Sequence, residues 1–303
     1  MTARDTLTVF GSINLDIAVR VERLPHAGET QLGSAARMSP GGKGANQAHA
    51  ARRFGVPVEL IGAVGDDAFA GPALAGLRAS GVDVSGVRTL AGAPTGLACI
   101  AVTPEGENSI VVAPGANADV CVNFVTDVQL TRTRLFLLQM EVPFAQSLLL
   151  AARARERGCW VMLNAAPMLD AQIPPHAVDW LVLNRVELDQ LCAARAVTGA
   201  APTERALQLA LLLGVDVALT LGSQGALIAG RDGRCLAQPA LAVDVVDTTG
   251  AGDTFAGVFG AALVAGLPEP AALRAAVVAA SLACRHAGAQ VAQPDRQQID
   301  AAL

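Results

Sequence analysis

The chain predicts an α/β protein with a doubly wound, mainly parallel sheet flanked by helices and a small antiparallel β lid. Three observations carry that prediction. Apolar runs of strand length alternate with helical patterns through most of the chain, which is the sign of βαβ units. Most of these runs are apolar throughout, as strands buried on both faces are. Four of the helical patterns stop at a glycine, a common helix end because glycine enters the left-handed region without penalty.

In chain order, Leu7 to Gly11 is the first strand. Residues 14–38 alternate apolar and polar side chains around turn signals and read as antiparallel strands. Ala45 to Phe54 is a helix closed by Gly55, Val58 to Val64 a strand, and Ala68 to Ser80 a helix closed by Gly81. Residues 94–112 repeat the alternating pattern, so two pieces remote in sequence either build one small sheet across the mouth of the main domain or fold back on the core as ordinary hairpins. The inner face of such a sheet must be covered by a substrate or a second subunit. Leu135 to Gln139 is a strand and Phe144 to Arg157, before Gly158, a helix; Trp160 to Asn164 and Trp180 to Asn184 are strands. The helix Thr203 to Leu213, ending at Gly214, precedes the strands Val217 to Leu221 and Gly225 to Ala229. A last strand-like run, Leu241 to Val246, leads through a glycine turn into a small-residue helix beginning near Thr254. The division that follows gives residues 1–13, 39–93 and 113–303 to the α/β domain and 14–38 and 94–112 to the lid.

Composition narrows the function classes. With 303 residues, 52% of them apolar, and 30 glycines, the chain has ample core and many tight turns. A net charge of −5, 16% charged residues and no Lys/Arg run exclude the electrostatic footprint of a nucleic-acid binder. Six cysteines without a Cys-x-x-Cys, and four histidines without an i, i+4 pair, indicate neither a zinc site nor a disulfide framework. Met1 to Leu7 lacks the apolar run of about 7–15 residues that a signal peptide needs. The apolar stretch Phe255 to Leu267, interrupted by Gly257, Gly260 and Gly266, is too short to span a bilayer. The expectation is a soluble, cytoplasmic protein with neither membrane nor nucleic acid as a partner.

The chemistry concentrates at glycine turns and strand ends. Asp247-Thr-Thr-Gly250-Ala251-Gly252-Asp253 opens the last helix, where unpaired N–H donors and the positive end of the helix dipole can hold an anion. Asp253 has a reason to be there if it takes a proton from a hydroxyl that attacks a bound phosphate; otherwise it is a helix N-cap. Pro40-Gly41-Gly42-Lys43-Gly44-Ala45-Asn46-Gln47 opens another helix and suits hydroxyls or phosphate. It is no Walker A loop, and no Gly-x-Gly-x-x-Gly follows a strand. Asn14, Asp16, Gln139, Glu141 and Asn164 lie at carboxyl ends of apolar runs, where α/β sheets bind ligands. Asn184 and Glu187 share one helical turn, suited to a hydrated Mg²⁺ or to capping that helix. Thr220, Leu221, Gly222, Ser223, Gln224 and Gly225 form either a backbone approach to a nucleotide or a plain turn.

Taken in order, Gly11-Ser-Ile-Asn-Leu-Asp16, Gly28-Glu-Thr30, Gly41-Gly-Lys-Gly-Ala-Asn-Gln47, Gly65-Asp-Asp67, Gly106-Glu-Asn108, Asn184 with Glu187, Thr220-Leu-Gly-Ser223 and Asp247 to Phe255 resemble the PfkB carbohydrate-kinase family over nearly the whole chain. The resemblance implies ATP-dependent phosphorylation of a primary hydroxyl, with D-ribose giving D-ribose 5-phosphate, and other sugars or nucleosides as alternative acceptors. It implies Asp253 as the base and the amides of Gly250, Ala251 and Gly252 as the anion hole. Asn14, Asp16, Gly42, Lys43, Asn46 and Glu141 match sugar-holding positions. Asn184 and Thr220 to Gly225 match nucleotide positions, and Glu187 the residue that organises Mg²⁺. A K⁺ ion is implied at Asp247 and Thr249 and at backbone oxygens around Ala283, His286, Gly288 and Ala292, although Ala287 stands where a basic residue is common and Ala292 where a serine is. A homodimer through the lid is the family expectation.

Overall fold

The structure is a computed structural model that describes residues 4–104, 107–168 and 172–303. In chain order its elements begin with β1 (Thr6–Phe10), β2 (Asn14–Arg20), β3 (Ala35–Gly41), α1 (Lys43–Phe54), β4 (Val58–Gly65), α2 (Ala70–Ser80), β5 (Val87–Leu90), β6 (Gly96–Val102) and β7 (Asn108–Ala113). There follow α3 (Asp127–Arg132), β8 (Thr133–Leu138), α4 (Phe144–Glu156), β9 (Trp160–Asn164), β10 (Trp180–Leu183), α5 (Arg185–Ala194), α6 (Pro202–Leu213) and β11 (Asp216–Thr220). The chain ends with β12 (Ala226–Ala229), β13 (Cys235–Gln238), α7 (Ala251–Val264), α8 (Glu269–Ala283) and α9 (Arg296–Ala302).

Nine strands form the main sheet in the order β13-β12-β11-β10-β9-β8-β1-β4-β5. Only the β11–β12 and β12–β13 ladders are antiparallel. From β1 the chain builds outward to β4 and β5, then returns to β8 on the other side of β1 and continues to β11. The winding therefore reverses between β1 and β8, and a crevice opens at the carboxyl ends of those strands. Side chains alternate across the sheet: Leu135 and Leu137 of β8, and Trp180 and Val182 of β10, join one core, with α1, α2, α7, α8 and α9. Phe136 and Leu138, and Leu181 and Leu183, join the other, with α3 to α6. Helices on both faces explain why these strands are apolar throughout. The expected glycine stops hold at Gly55, Gly81 and Gly214, each left-handed at a helix end.

A second sheet has the order β3-β2-β6-β7. The expected antiparallel pairing holds within β2–β3 and β6–β7, and a parallel β2–β6 ladder joins the two pairs. That parallel join follows from origin, because β2 and β6 both leave the carboxyl ends of parallel main-sheet strands, β1 and β5. The outer strands run on to Gly41 and Ala113. Gly106 of the Gly106-Glu-Asn108 motif, like Met1 to Ala3, lies outside the described residues.

One expected strand is absent. Leu241 to Val246 pairs with no strand; Leu241 N–H donates to Ser281 Oγ at 3.2 Å, and Val246 N–H to the Cys284 carbonyl at 2.8 Å. The run lies along the end of α8, so a helix takes the hydrogen bonds that a neighbouring strand would need. Among the described residues no helix is long and apolar enough to cross a membrane.

Candidate active site

The last glycine turn is built tightly. Gly250 is the N-cap of α7 in the left-handed region, φ 75°, and its carbonyl accepts from Thr254 N–H and Thr254 Oγ1 at 2.8 Å each. Asp253 is thus in the first turn and is not the N-cap. It is 6% exposed, and both of its oxygens are occupied. Asn46 Nδ2 donates to Oδ2 and Gln47 Nε2 to Oδ1, each at 3.0 Å. Two successive residues of α1 therefore clasp a carboxylate on α7, a charge-assisted arrangement that fixes its orientation. Of the three expected anion-hole amides, Ala251 N–H turns back onto the Thr248 carbonyl at 3.2 Å, while Gly250 and Gly252 line the cavity beside Asp253.

The other glycine turn brings α1 against β2. Gly42 has φ 88°, and a Cβ there would lie 2.8 Å from the backbone nitrogen of Asn14, so only glycine closes this turn. Lys43 follows, the only lysine in the sequence. Its backbone N–H donates to Glu141 Oε2 at 3.0 Å, the oxygen that also accepts from Ser12 Oγ at 2.6 Å. The Lys43 ammonium is raised above its ordinary range, chiefly by Asp253 and against the effect of burial, with smaller contributions from Glu141 and Glu187. Asp16 is pushed up to about 6, first by burial and then by the charges of Glu141 and Asp253. Asn14, buried at the root of β2, accepts from Asn117 Nδ2 at 2.8 Å. Asn14, Asp16, Gly42, Lys43, Asn46, Glu141 and Asp253 are thus gathered at one crevice, with a single ammonium among the carboxylates.

A cavity of about 110 Å³ extends from this cluster toward β10 and β11, lined by Lys43, Asn164, Asn184, Glu187, Thr220 and Asp253 among others. Asn184 and Glu187 form a full capping box on α5: Glu187 N–H donates to Asn184 Oδ1 at 3.0 Å, and Asn184 N–H to Glu187 Oε2 at 2.7 Å. Capping and facing the cavity are therefore not alternatives here, because the same pair does both. Burial raises the Glu187 carboxyl, a shift opposed by the Asn184 N–H and by Lys43. Thr220 reaches the cavity, with Oγ1 donating to the Leu183 carbonyl at 3.3 Å. Leu221 to Gly225 close a short 3-10 turn beyond its rim: Leu221 N–H donates to the Gly225 carbonyl at 2.8 Å, and Arg185 donates to Gln224 Oε1. Gly222 and Ser223 are exposed there.

The segments expected to hold a monovalent cation also meet. Asp247 Oδ1 accepts from Thr249 N–H and Oδ2 from Gly288 N–H, both at 2.9 Å. Burial pushes the Asp247 carboxyl up, but these hydrogen bonds outweigh it and hold the group below the usual range. Ala283 and Ala292 are buried, and the Ala283 carbonyl accepts from His286 N–H at 3.3 Å. His286 is exposed. The Asp247 carboxylate and the backbone carbonyls of these segments would offer oxygen donors only, the kind that suits a hard cation. Glu187 fits Mg²⁺ only through retained waters, because both of its oxygens already serve the capping box. Among the described residues, no three His, Cys, Asp or Glu side chains form a ready metal cage.

Some residues of the site were not legible as members of it. Ser12, Gln47 and Asn117 each bond a residue of the crevice, and Gln139, expected on its edge, is fully buried behind it. A buried glutamine at the end of an apolar run is the one sequence signal that pointed this way.

Four similarities bear on this geometry. The pfkB family carbohydrate kinase model matches residues 4–296. A ribokinase of Lactococcus lactis is 35% identical over 98% of this chain and 96% of its own length. Among solved structures, ribokinase of Thermotoga maritima superposes with a TM-score of 0.90 at 31% identity, covering 98% of each chain. An Arabidopsis thaliana ribokinase, complexed with ribose and ATP, superposes with 0.89 at 32% identity, over 99% of this chain and 98% of that one. A match running nearly end to end at these identities leads to a plain conclusion: the chain belongs to the pfkB family of carbohydrate kinases and is an ATP-dependent sugar kinase.

Proposed function

We propose that the chain phosphorylates the primary hydroxyl of D-ribose with ATP, yielding D-ribose 5-phosphate and ADP. The observation that carries the chemistry is Asp253, a buried carboxylate in the first turn of α7, within electrostatic reach of Lys43 and beside Gly250 and Gly252. The choice of sugar is supported by the similarity to ribokinases, one of them solved with ribose and ATP.

In this reading Asn14, Asp16, Lys43, Asn46 and Glu141 hold the sugar hydroxyls. Asp253 takes the proton of the attacking hydroxyl; the sugar oxygen bonds to the γ-phosphorus as the bond to the ADP oxygen breaks. The amides of Gly250 and Gly252 and the ammonium of Lys43 face the charge of the transferring group. Asn184 and the rim from Thr220 to Gly225 hold the nucleotide. Glu187 would hold Mg²⁺ through water, and that ion would neutralise phosphate charge. Asp247, Thr249 and carbonyls of the Ala283, His286, Gly288 and Ala292 segment would hold K⁺, which would stiffen the loop that carries Gly250. The small sheet acts as a lid over the sugar, and its exposed outer part pairs two copies into a homodimer. Six free cysteines accord with a reducing compartment and a cytoplasmic location.

The test is ATP turnover against a panel of ribose, deoxyribose, other sugars and nucleosides, with and without K⁺. D-Ribose is expected to give the highest kcat/KM; a higher value for any other acceptor reassigns the substrate. Asp253→Asn is expected to retain ribose binding and to lose roughly 10² to 10⁴ in kcat, or about 3–5 kcal/mol. Activity within a few fold of wild type would remove Asp253 from the base role.

A further inference from the structure

Asp253 is held from behind by a chain of side-chain amides that has one workable direction. Gln139, just beyond β8 and fully buried, donates through Nε2 to the Leu137 carbonyl at 3.3 Å and to Gln47 Oε1 at 2.7 Å. The Gln47 carbonyl is thereby occupied, and its own Nε2 is turned onto Asp253 Oδ1 at 3.0 Å. Reversing Gln47 would set a carbonyl oxygen against a carboxylate. Reversing Gln139 would set its oxygen against the Leu137 carbonyl.

Two features show that this direction is held against a penalty. Gln139 Oε1 is buried with no hydrogen-bond partner, an expensive state for an amide oxygen. It also lies over Gly11, where a Cβ would come within 1.7 Å of it, so a bare glycine is needed to admit the amide. Asn46, by contrast, serves Oδ2 and is oriented by Gln290 Nε2 at 3.2 Å. In the proposed reaction Asn46 also holds sugar, so its bond to Asp253 is exchangeable. Gln47 is fully buried.

Resting on the reading of Asp253 as the base, we propose that Gln139 and Gln47 are positioning residues. They form an oriented relay from the β8 backbone that fixes the rotation of the Asp253 carboxylate and leaves its Oδ2 side to the acceptor hydroxyl. Neither glutamine touches substrate, so the relay contributes to turnover and not to sugar or ATP affinity.

Gln47→Met and Gln139→Met keep side-chain length and remove the donors. Each is expected to lower kcat about tenfold while both KM values stay within about twofold. In the double variant kcat should fall no further than in Gln47→Met, because Gln139 acts through Gln47. Wild-type kcat in either single variant, losses that multiply in the double, or a change confined to KM overturns the proposal. If thermal unfolding shows Gln139→Met to be unfolded, Gln47→Met alone carries the same kcat and KM readout. Asp253→Asn measured alongside separates two failures. Near wild-type turnover there sinks the base assignment, whereas an inactive Asp253→Asn beside fully active amide variants sinks only the relay.

Discussion

In the proposed function, Asp16 is the residue at which pH, stability and sugar binding meet. Its folded value of about 6 lies above the ordinary 3.8, so the folded protein holds this proton more tightly than the unfolded chain does. The resulting stabilisation is complete below 3.8 and is lost as pH rises through 6, with a ceiling of roughly 3 kcal/mol for a shift of about two units. Thermal unfolding of the ligand-free protein from pH 4 to 7 should therefore show a fall that Asp16→Asn flattens; parallel curves would deny Asp16 this role. Sugar binding should run the other way, because the ionised carboxylate accepts hydrogen bonds from sugar hydroxyls through both oxygens. The KM for ribose is expected to rise as pH drops below about 6. At this scale the sequence was informative where one motif carries the geometry, as with Asp253 and Lys43. It placed Gln47 in a glycine motif and Gln139 at a strand end but was silent on the bond between them, which joins residues 92 apart in the chain.

Helix α5 shows how a single element can serve structure and site together. The capping box Asn184–Glu187 satisfies backbone donors at its start, and the same two side chains face the cavity. Asn184→Ala should cost about 1 kcal/mol of stability through the lost cap, seen as a lower Tm without nucleotide, and should also raise the KM for ATP. A lower Tm with unchanged KM would leave Asn184 a cap alone. Elements were legible in proportion to how well local pattern matched tertiary surroundings. β8 and β10, buried on both faces, announced themselves as unbroken apolar runs. Leu241 to Val246 is also rich in Leu and Val, apart from Asp244, but its printed backbone donors go to Ser281 and Cys284 at the end of α8. Asp244, inside that run, is the local feature that sets it apart from the doubly buried strands.

Across the whole molecule, the two sheets differ in what covers them. Helices close both faces of the main sheet, whereas β7 is exposed along its length, with Ile110, Val111 and Val112 at 54%, 68% and 45%. Three adjacent apolar residues at an open edge strand mark an association surface. Light scattering is expected to report a dimer, and Val111→Glu a monomer that keeps its fold; a wild-type monomer would refute the pairing. The alternating pattern of residues 14–38 and 94–112 made the second sheet legible. Its parallel seam was not, because that depends on where each excursion leaves the main sheet. Every cationic side chain but one is arginine or histidine, and the exception, Lys43, sits at the centre of the crevice. A compact ammonium fits among those carboxylates where a broad, planar guanidinium would not. Lys43 is therefore the one side-chain amine in the sequence, and the carboxylates around it, by holding its proton, slow its reaction with amine-selective reagents. A single isotopic methyl label on that side-chain nitrogen would act as a spectroscopic beacon for events in the crevice, free of any lysine background.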